Sequence, residues 1–126
     1  MDPNFAWAYF TRGEAFRGKC EVDRAIADAT KAIQLSPNVA AAYGTRADAY
    51  RQKGNFDRAI ADATEGIRLD PNYALAYLTR AWAYWSRSDF DRANADATMA
   101  TRLDPNIPWP FDNNDSGEIA FCVEDM

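Results

Sequence analysis

The 126-residue chain contains no histidine. That removes the commonest general base and the commonest transition-metal ligand. A Ser/His/Asp triad, a Cys/His dyad and an HExxH zinc site are therefore excluded. Cysteine is nearly absent as well. Cys20 and Cys122 read as two unrelated thiols, too few for a disulfide framework or a zinc site. No apolar run is long enough to span a bilayer. The opening residues, MDPNFAWAYFTRGE, place acid before base around no secretory apolar core, so no signal peptide is expected. There is no basic excess either. All 14 Lys and Arg lie before residue 107 together with 14 of the 19 acids, and the last 20 residues carry the whole net charge of −5. A neutral body with an acidic end lacks the basic stripe that nucleic acid demands. Carboxylates such as Glu14 and Asp48 could serve as acid and base, but nothing in the sequence orients them. The expectation is a soluble, cytoplasmic rather than secreted protein. It is not an enzyme, needs no cofactor or metal, and meets neither nucleic acid nor membrane.

What is present is repetition. RAIADAT stands at 24–30 and 58–64, and RANADAT at 92–98. DPN, SPN, DPN and DPN begin at residues 2, 36, 70 and 104, on the same 34-residue ruler. The first two units agree at roughly 20 of 34 aligned positions, as a stacked repeat architecture requires. Each unit reads as two helices. In the second, Ala25, Ile26, Ala29, Ala32 and Ile33 form an apolar stripe whose small alanines permit close packing. Pro37, Pro71 and Pro105 stop that helix. Asn38 and Asn72 are placed to cap the next one. Gly54 with Asn55, and Ser88 with Asp89, mark the turns inside units two and three.

This pattern resembles the tetratricopeptide repeat (TPR). The family's landmark places hold Tyr9, Arg12-Gly13, Phe16, Ala25, Ala29 and Pro37 in the first unit, with register-equivalent residues in the next two. Arg stands for the usual Leu, and Ala for the aromatic of the second helix. The resemblance covers residues 2–106. It implies an all-α fold: a right-handed α-α superhelix of three helix-turn-helix units and six helices, followed by a non-helical C-terminal tail. The units are 2–35, 36–69 and 70–106, and the acidic, partly extended tail is 107–126. Arg12, Arg46 and Arg80 recur with Asp28, Asp62 and Asp96. They read as a ladder of pairs tying helix to helix, or else as arginines for an acidic ligand.

The family binds partner segments in a concave groove lined by first helices. By register that groove comprises Trp7, Phe10, Glu14, Arg17, Thr45, Asp48, Arg51, Leu75, Leu78, Thr79, Trp82 and Trp85. The places that clamp chaperone C-terminal carboxylates elsewhere in the family hold Phe10, Glu14, Thr45, Leu75 and Thr79, none of them basic. A chaperone clamp is not expected. Aromatic ends around a small middle of Ala41, Gly44 and Asp48 suit an extended, partly apolar peptide.

The tail has Pro108 and Pro110, then Ile119, Phe121 and Val123 alternating like a strand. It could serve as its own groove's ligand. DNNDSGEIAFCVE echoes a calcium loop, but the twelfth place is Val123 rather than Glu. No capping helix follows the array, and it begins abruptly, as a segment of a longer array would. Its uncapped ends make a homodimer or stack the alternative to peptide binding.

Overall fold

The computed structural model describes residues 3–107 and residue 110. Six helices follow one another: α1 (Pro3–Gly18), α2 (Val22–Leu35), α3 (Ala40–Lys53), α4 (Phe56–Leu69), α5 (Ala74–Ser86) and α6 (Phe90–Leu103). No strand occurs among the described residues. The tail readings, the strand-like alternation and the calcium-like loop lie outside those residues.

Each helix begins and ends for a local reason. Asp23, Asp57 and Asp91 sit in the first turns of α2, α4 and α6, where the helix dipole favours an acid. Asn55 and Asp89 cap α4 and α6 by accepting from the Arg58 and Arg92 backbone N–H groups. The caps foreseen at Asn38 and Asn72 are not formed. α3 and α5 start from Val39 and Tyr73 with no side-chain cap. The aspartate of the repeated DPN acts instead. Asp70 and Asp104 accept from the N–H of Asn72 and Asn106, each at 3.1 Å, and so turn the chain after α4 and α6. Inside each unit the turn uses a left-handed residue at the same register: Cys20 (φ 63°), Gly54 (φ 88°) and Ser88 (φ 65°). Cys20 is not a free thiol, contrary to the sequence expectation; Cys122 is outside the described residues.

Packing follows from alanine. Ala25, Ala29, Ala59, Ala63, Ala93 and Ala97 of the second helices are fully buried, as are Ala47 and Ala81 of the facing first helices. Side chains this short bring helix backbones close together, and large rings are displaced to the rim. α1 packs on α2, α3 on α4 and α5 on α6, while α2 also packs on α3 and α4 on α5. First helices approach one another, α1 to α3 and α3 to α5, but second helices do not. An array whose first helices converge is curved with those helices on the inside.

The arginine ladder closes this packing. Arg46 donates Nε and Nη2 to both oxygens of Asp62 at 2.7 and 2.8 Å, and Arg80 does the same to Asp96. Arg12 holds Asp28 at 2.7 and 2.9 Å. Each fork is bidentate, the strong form of this pair. The third edge reaches the preceding unit: Arg46 Nη1 donates to Thr30 Oγ1 at 3.2 Å and Arg80 Nη1 to Thr64 Oγ1 at 3.1 Å. Hydrogen bonds to Asp62 and Asp96 hold the Arg46 and Arg80 pKa values above the ordinary arginine value. So RAIADAT has three jobs: alanines for the core, an Asp for its own unit's arginine, and a Thr for the next unit's.

The α6 end is modified. Half-buried Ile26 and Ile33 of α2, and Ile60 and Ile67 of α4, become Asn94 and Thr101. The last second helix is thus polar where its predecessors are apolar, which serves as a cap. The C-terminal end expected from sequence to be uncapped is in this respect more polar than the α2 and α4 faces.

Two outcomes follow for stability. Ser88→Gly relieves a left-handed non-glycine residue and should raise the unfolding free energy by about 0.5–1 kcal/mol in urea titration. Asp62→Ala leaves the part-buried Arg46 guanidinium without its carboxylate and should cost about 2–4 kcal/mol. Asp28→Ala should cost less in the same assay, because Arg12 is far better solvated than Arg46.

Candidate functional site

The inner face of the three first helices presents four rows at 34-residue intervals. They are Trp7, Ala41 and Leu75; Phe10, Gly44 and Leu78; Glu14, Asp48 and Trp82; and Arg17, Arg51 and Trp85.

The charged members of the lower rows are already engaged with one another. Arg17 donates Nε to Glu14 Oε1 at 2.9 Å and Nη1 to Asp48 Oδ2 at 2.8 Å. Arg51 donates to Asp48 Oδ1 at 2.8 Å, and Gln52 to Asp48 Oδ2 at 3.1 Å. The Thr45 hydroxyl donates to Glu14 Oε1 at 2.8 Å, with the Ala41 carbonyl at 3.0 Å as its other acceptor. Asp48 and Arg51 are buried and Arg17 half-buried. Burial opposes the Arg17 charge, but Glu14 and Asp48 outweigh it and hold its pKa above the ordinary value. Two acids and two arginines make this network neutral. It sits where a charged ligand would have to compete for every group.

The middle differs from a small open saddle. Tyr73, from the loop before α5, lies over Gly44. A Cβ at residue 44 would stand 2.6–2.9 Å from the far end of the Tyr73 ring. Burial pushes the Tyr73 phenol up to about 12, and nearby Glu14 adds to the effect. Thr45 and Thr79 are each only 1% exposed, so they shape the groove from beneath.

The apolar members remain accessible to different degrees. Trp7 is exposed and tilts against half-buried Phe10 with ring centroids 5.2 Å apart. Beside them a mainly apolar cavity of about 210 Å³ opens, lined further by Ala6, Ala32, Ser36, Val39 and Ala42. At the other end Trp82 and Trp85 pack on the Ala81, Ala93 and Ala97 cluster. Trp85 also meets Phe90 edge-on at 4.7 Å. Leu75 and Leu78 are half-buried.

Tyr73 and Val39 did not emerge as site residues from the sequence. A signal existed: Phe5, Val39 and Tyr73 share one register, and the largest side chain there, that of Tyr73, faces the glycine of the adjacent row. Where residue 39 is small, a cavity is left open.

The tetratricopeptide-repeat family model matches residues 40–73. That window runs from the start of α3 to the loop before α5, one full helix pair. That helix pair is a tetratricopeptide repeat. No curated protein matches the chain in sequence. Among solved structures it is similar to the TPR domain of Arabidopsis OM64, at 27% identity and a TM-score of 0.81, over 84% of this chain and 88% of that one. It is similar to the first TPR domain of Spaghetti (RPAP3) bound to the HSP90 peptide SRMEEVD, at 25% identity and a TM-score of 0.80, over 86% of each chain. It is also similar to the TPR2B domain of yeast Sti1 in its complex with pHsp70, at 28% identity and a TM-score of 0.75, over 88% and 85%. No helix among the described residues is long and apolar enough to cross a membrane.

The Gly44–Tyr73 contact gives a spectroscopic test. Because the folded phenol titrates near 12 instead of 10, its contribution to stability is complete below pH 10 and is lost as pH rises through about 12. Gly44→Ala should displace the ring into solvent. One of the tyrosine ionisations followed by ultraviolet absorbance should then move back towards 10, an effect that Tyr73→Phe removes altogether.

Proposed function

We propose that this TPR array binds an extended, partly apolar segment of a partner protein along the inner face. The units carrying it are 2–35, 36–69 and 70–106. Trp7, Phe10, Leu75, Leu78, Trp82 and Trp85 supply apolar contact; Glu14, Arg17, Asp48 and Arg51 form the polar floor, with Thr45 and Thr79 beneath. The cavity beside Trp7 and Val39 carries the reading. Its size suits one bulky apolar side chain, and tryptophan at its edge is the residue type that dominates recognition. The neighbours whose structures hold chaperone peptides support peptide binding in general. The acidic chaperone tail itself is disfavoured here, because the arginines nearest the groove already hold Glu14 and Asp48.

Fluorescent dodecapeptides that differ only at one central position (Ala, Leu, Phe or Glu) test this by anisotropy on the full chain. The Leu and Phe peptides should bind, the Ala and Glu peptides and SRMEEVD should not, and Trp7→Ala or Val39→Phe should weaken binding at least about tenfold. Tight binding of SRMEEVD, or indifference to the central residue, would overturn the proposal. A peptide of residues 107–126 belongs in the same assay. Its competition with the Leu peptide would make the tail an internal ligand.

A further inference from the structure

Cys20 is disulfide-bonded, and the chain's one other cysteine is Cys122. The place of Cys20 in the fold gives that bond a meaning. Its N–H donates to the Arg17 carbonyl at 3.1 Å. Half-buried Cys20 therefore stands at the foot of the inner face, three residues past the arginine that reaches Asp48. The left-handed turn it occupies (φ 63°) is filled by Gly54 in the second unit, so the backbone there does not call for cysteine.

The segment that carries Cys122 sets off towards the same face. The Ile107 N–H donates to the Asp104 carbonyl at 3.0 Å, and the Asn106 N–H to the Asp104 carboxylate at 3.1 Å. The Tyr73 and Asn72 N–H groups do the same at Asp70, and that turn brings Tyr73 over Gly44. Ile107 is the register equivalent of Tyr73, and Leu78 that of Gly44. The chain thus leaves α6 towards the inner face beside Leu78. Ile107 is half-buried and Pro110 buried. Cys122 lies 12 residues beyond Pro110, a reach of about 40 Å when extended. Stepping from α5 through α3 to α1 covers about 20 Å at usual helix spacings, and a first helix is about 20 Å long. The diagonal to Cys20 is then about 30 Å, within reach. The route over the second helices is longer, because they do not approach one another.

We propose that Cys20 pairs with Cys122, and that this disulfide straps residues 111–121 across the peptide groove and closes it to a partner until the bond is reduced. The inference rests on the groove reading given above. The strap has the chemistry assigned to the partner, an extended segment with Ile119 and Phe121 close to the bonded sulfur. Forming the bond takes two protons and two electrons from the two thiols. A low-molecular-weight disulfide such as oxidised glutathione accepts them in two exchange steps and leaves as two thiols. A dithiol reverses the reaction and ends as its own disulfide. A lone bond of this kind, outside any disulfide framework, is the form that redox switching uses.

The full chain, treated with oxidised glutathione or with dithiothreitol, tests the bond and the strap separately. Non-reducing tryptic digestion of the oxidised monomer should yield peptides 20–24 and 103–126 joined by one disulfide. Dithiothreitol and Cys122→Ser should each remove that species. Hydroxyl-radical footprinting read by mass spectrometry should label Trp82 and Trp85 severalfold faster in the reduced chain than in the oxidised one. The Leu dodecapeptide should bind the reduced chain at least about tenfold more tightly, because a tethered strap competes at high effective concentration. Cys122→Ser should match the reduced chain in both assays, whatever the treatment. Two free thiols after oxidation, a disulfide found only between two chains, or equal labelling in both states would overturn the proposal. So would equal peptide binding by the two forms. Labelling that responds to reduction while the Leu peptide binds neither form would instead overturn the groove reading and leave the strap supported.

Discussion

The structure depends on how closely its helices approach one another. Fully buried alanines at the helix crossings leave room for little else, so hydrophobic gain per residue is small and dispersion contact along the backbones is correspondingly dense. A core so thin cannot by itself fix how far one helix slides along the next. The bidentate Arg–Asp pairs do that. They sit at the rim of the alanine seam, sixteen residues apart in sequence, and tie each first helix to its second helix at a fixed register. Their third edge ties unit to unit through threonine. One conserved-length period therefore carries both the packing within a unit and the joint between units.

That economy also dictates the surface. Because the alanines exclude bulky groups from the seam, the rings of Trp7, Phe10, Trp82 and Trp85 have to stand at the edges, two at each end of the inner face. Convergence of the first helices brings Glu14, Arg17, Asp48 and Arg51 together, and these neutralise one another. The result is an inner face whose charges are satisfied from within. Fold alone does not specify the ligand.

The two ends of the array are unequal for the same reason. At α6 the isoleucines that would face a further unit are Asn94 and Thr101, and Thr98 turns its hydroxyl back to the Asn94 carbonyl at 2.8 Å. At α1 no such change has occurred. There Phe5 and Arg12 are exposed and Tyr9 is half-buried.

Much of this was legible in the sequence. The 34-residue period, the helix pairs and the alanine stripe are local or strictly periodic, and 3.6-residue geometry converts them into faces without further information. The Arg12, Arg46 and Arg80 series could be paired with the Asp28, Asp62 and Asp96 series because the two recur together. The tertiary structure alone decided which groups were still available. Whether Arg17 is free or holds Asp48, thirty-one residues away, depends on the angle between units, and so does the position of Tyr73 over Gly44. The caps expected from Asn38 and Asn72 did not form, and Asp70 and Asp104 instead turn the chain by accepting from the N–H two residues on. The greater exposure of Arg12 than of Arg46 and Arg80 is likewise visible only in the structure. Sequence periodicity assigns the same residue the same role in every unit, and only packing reveals how far each unit fulfils it.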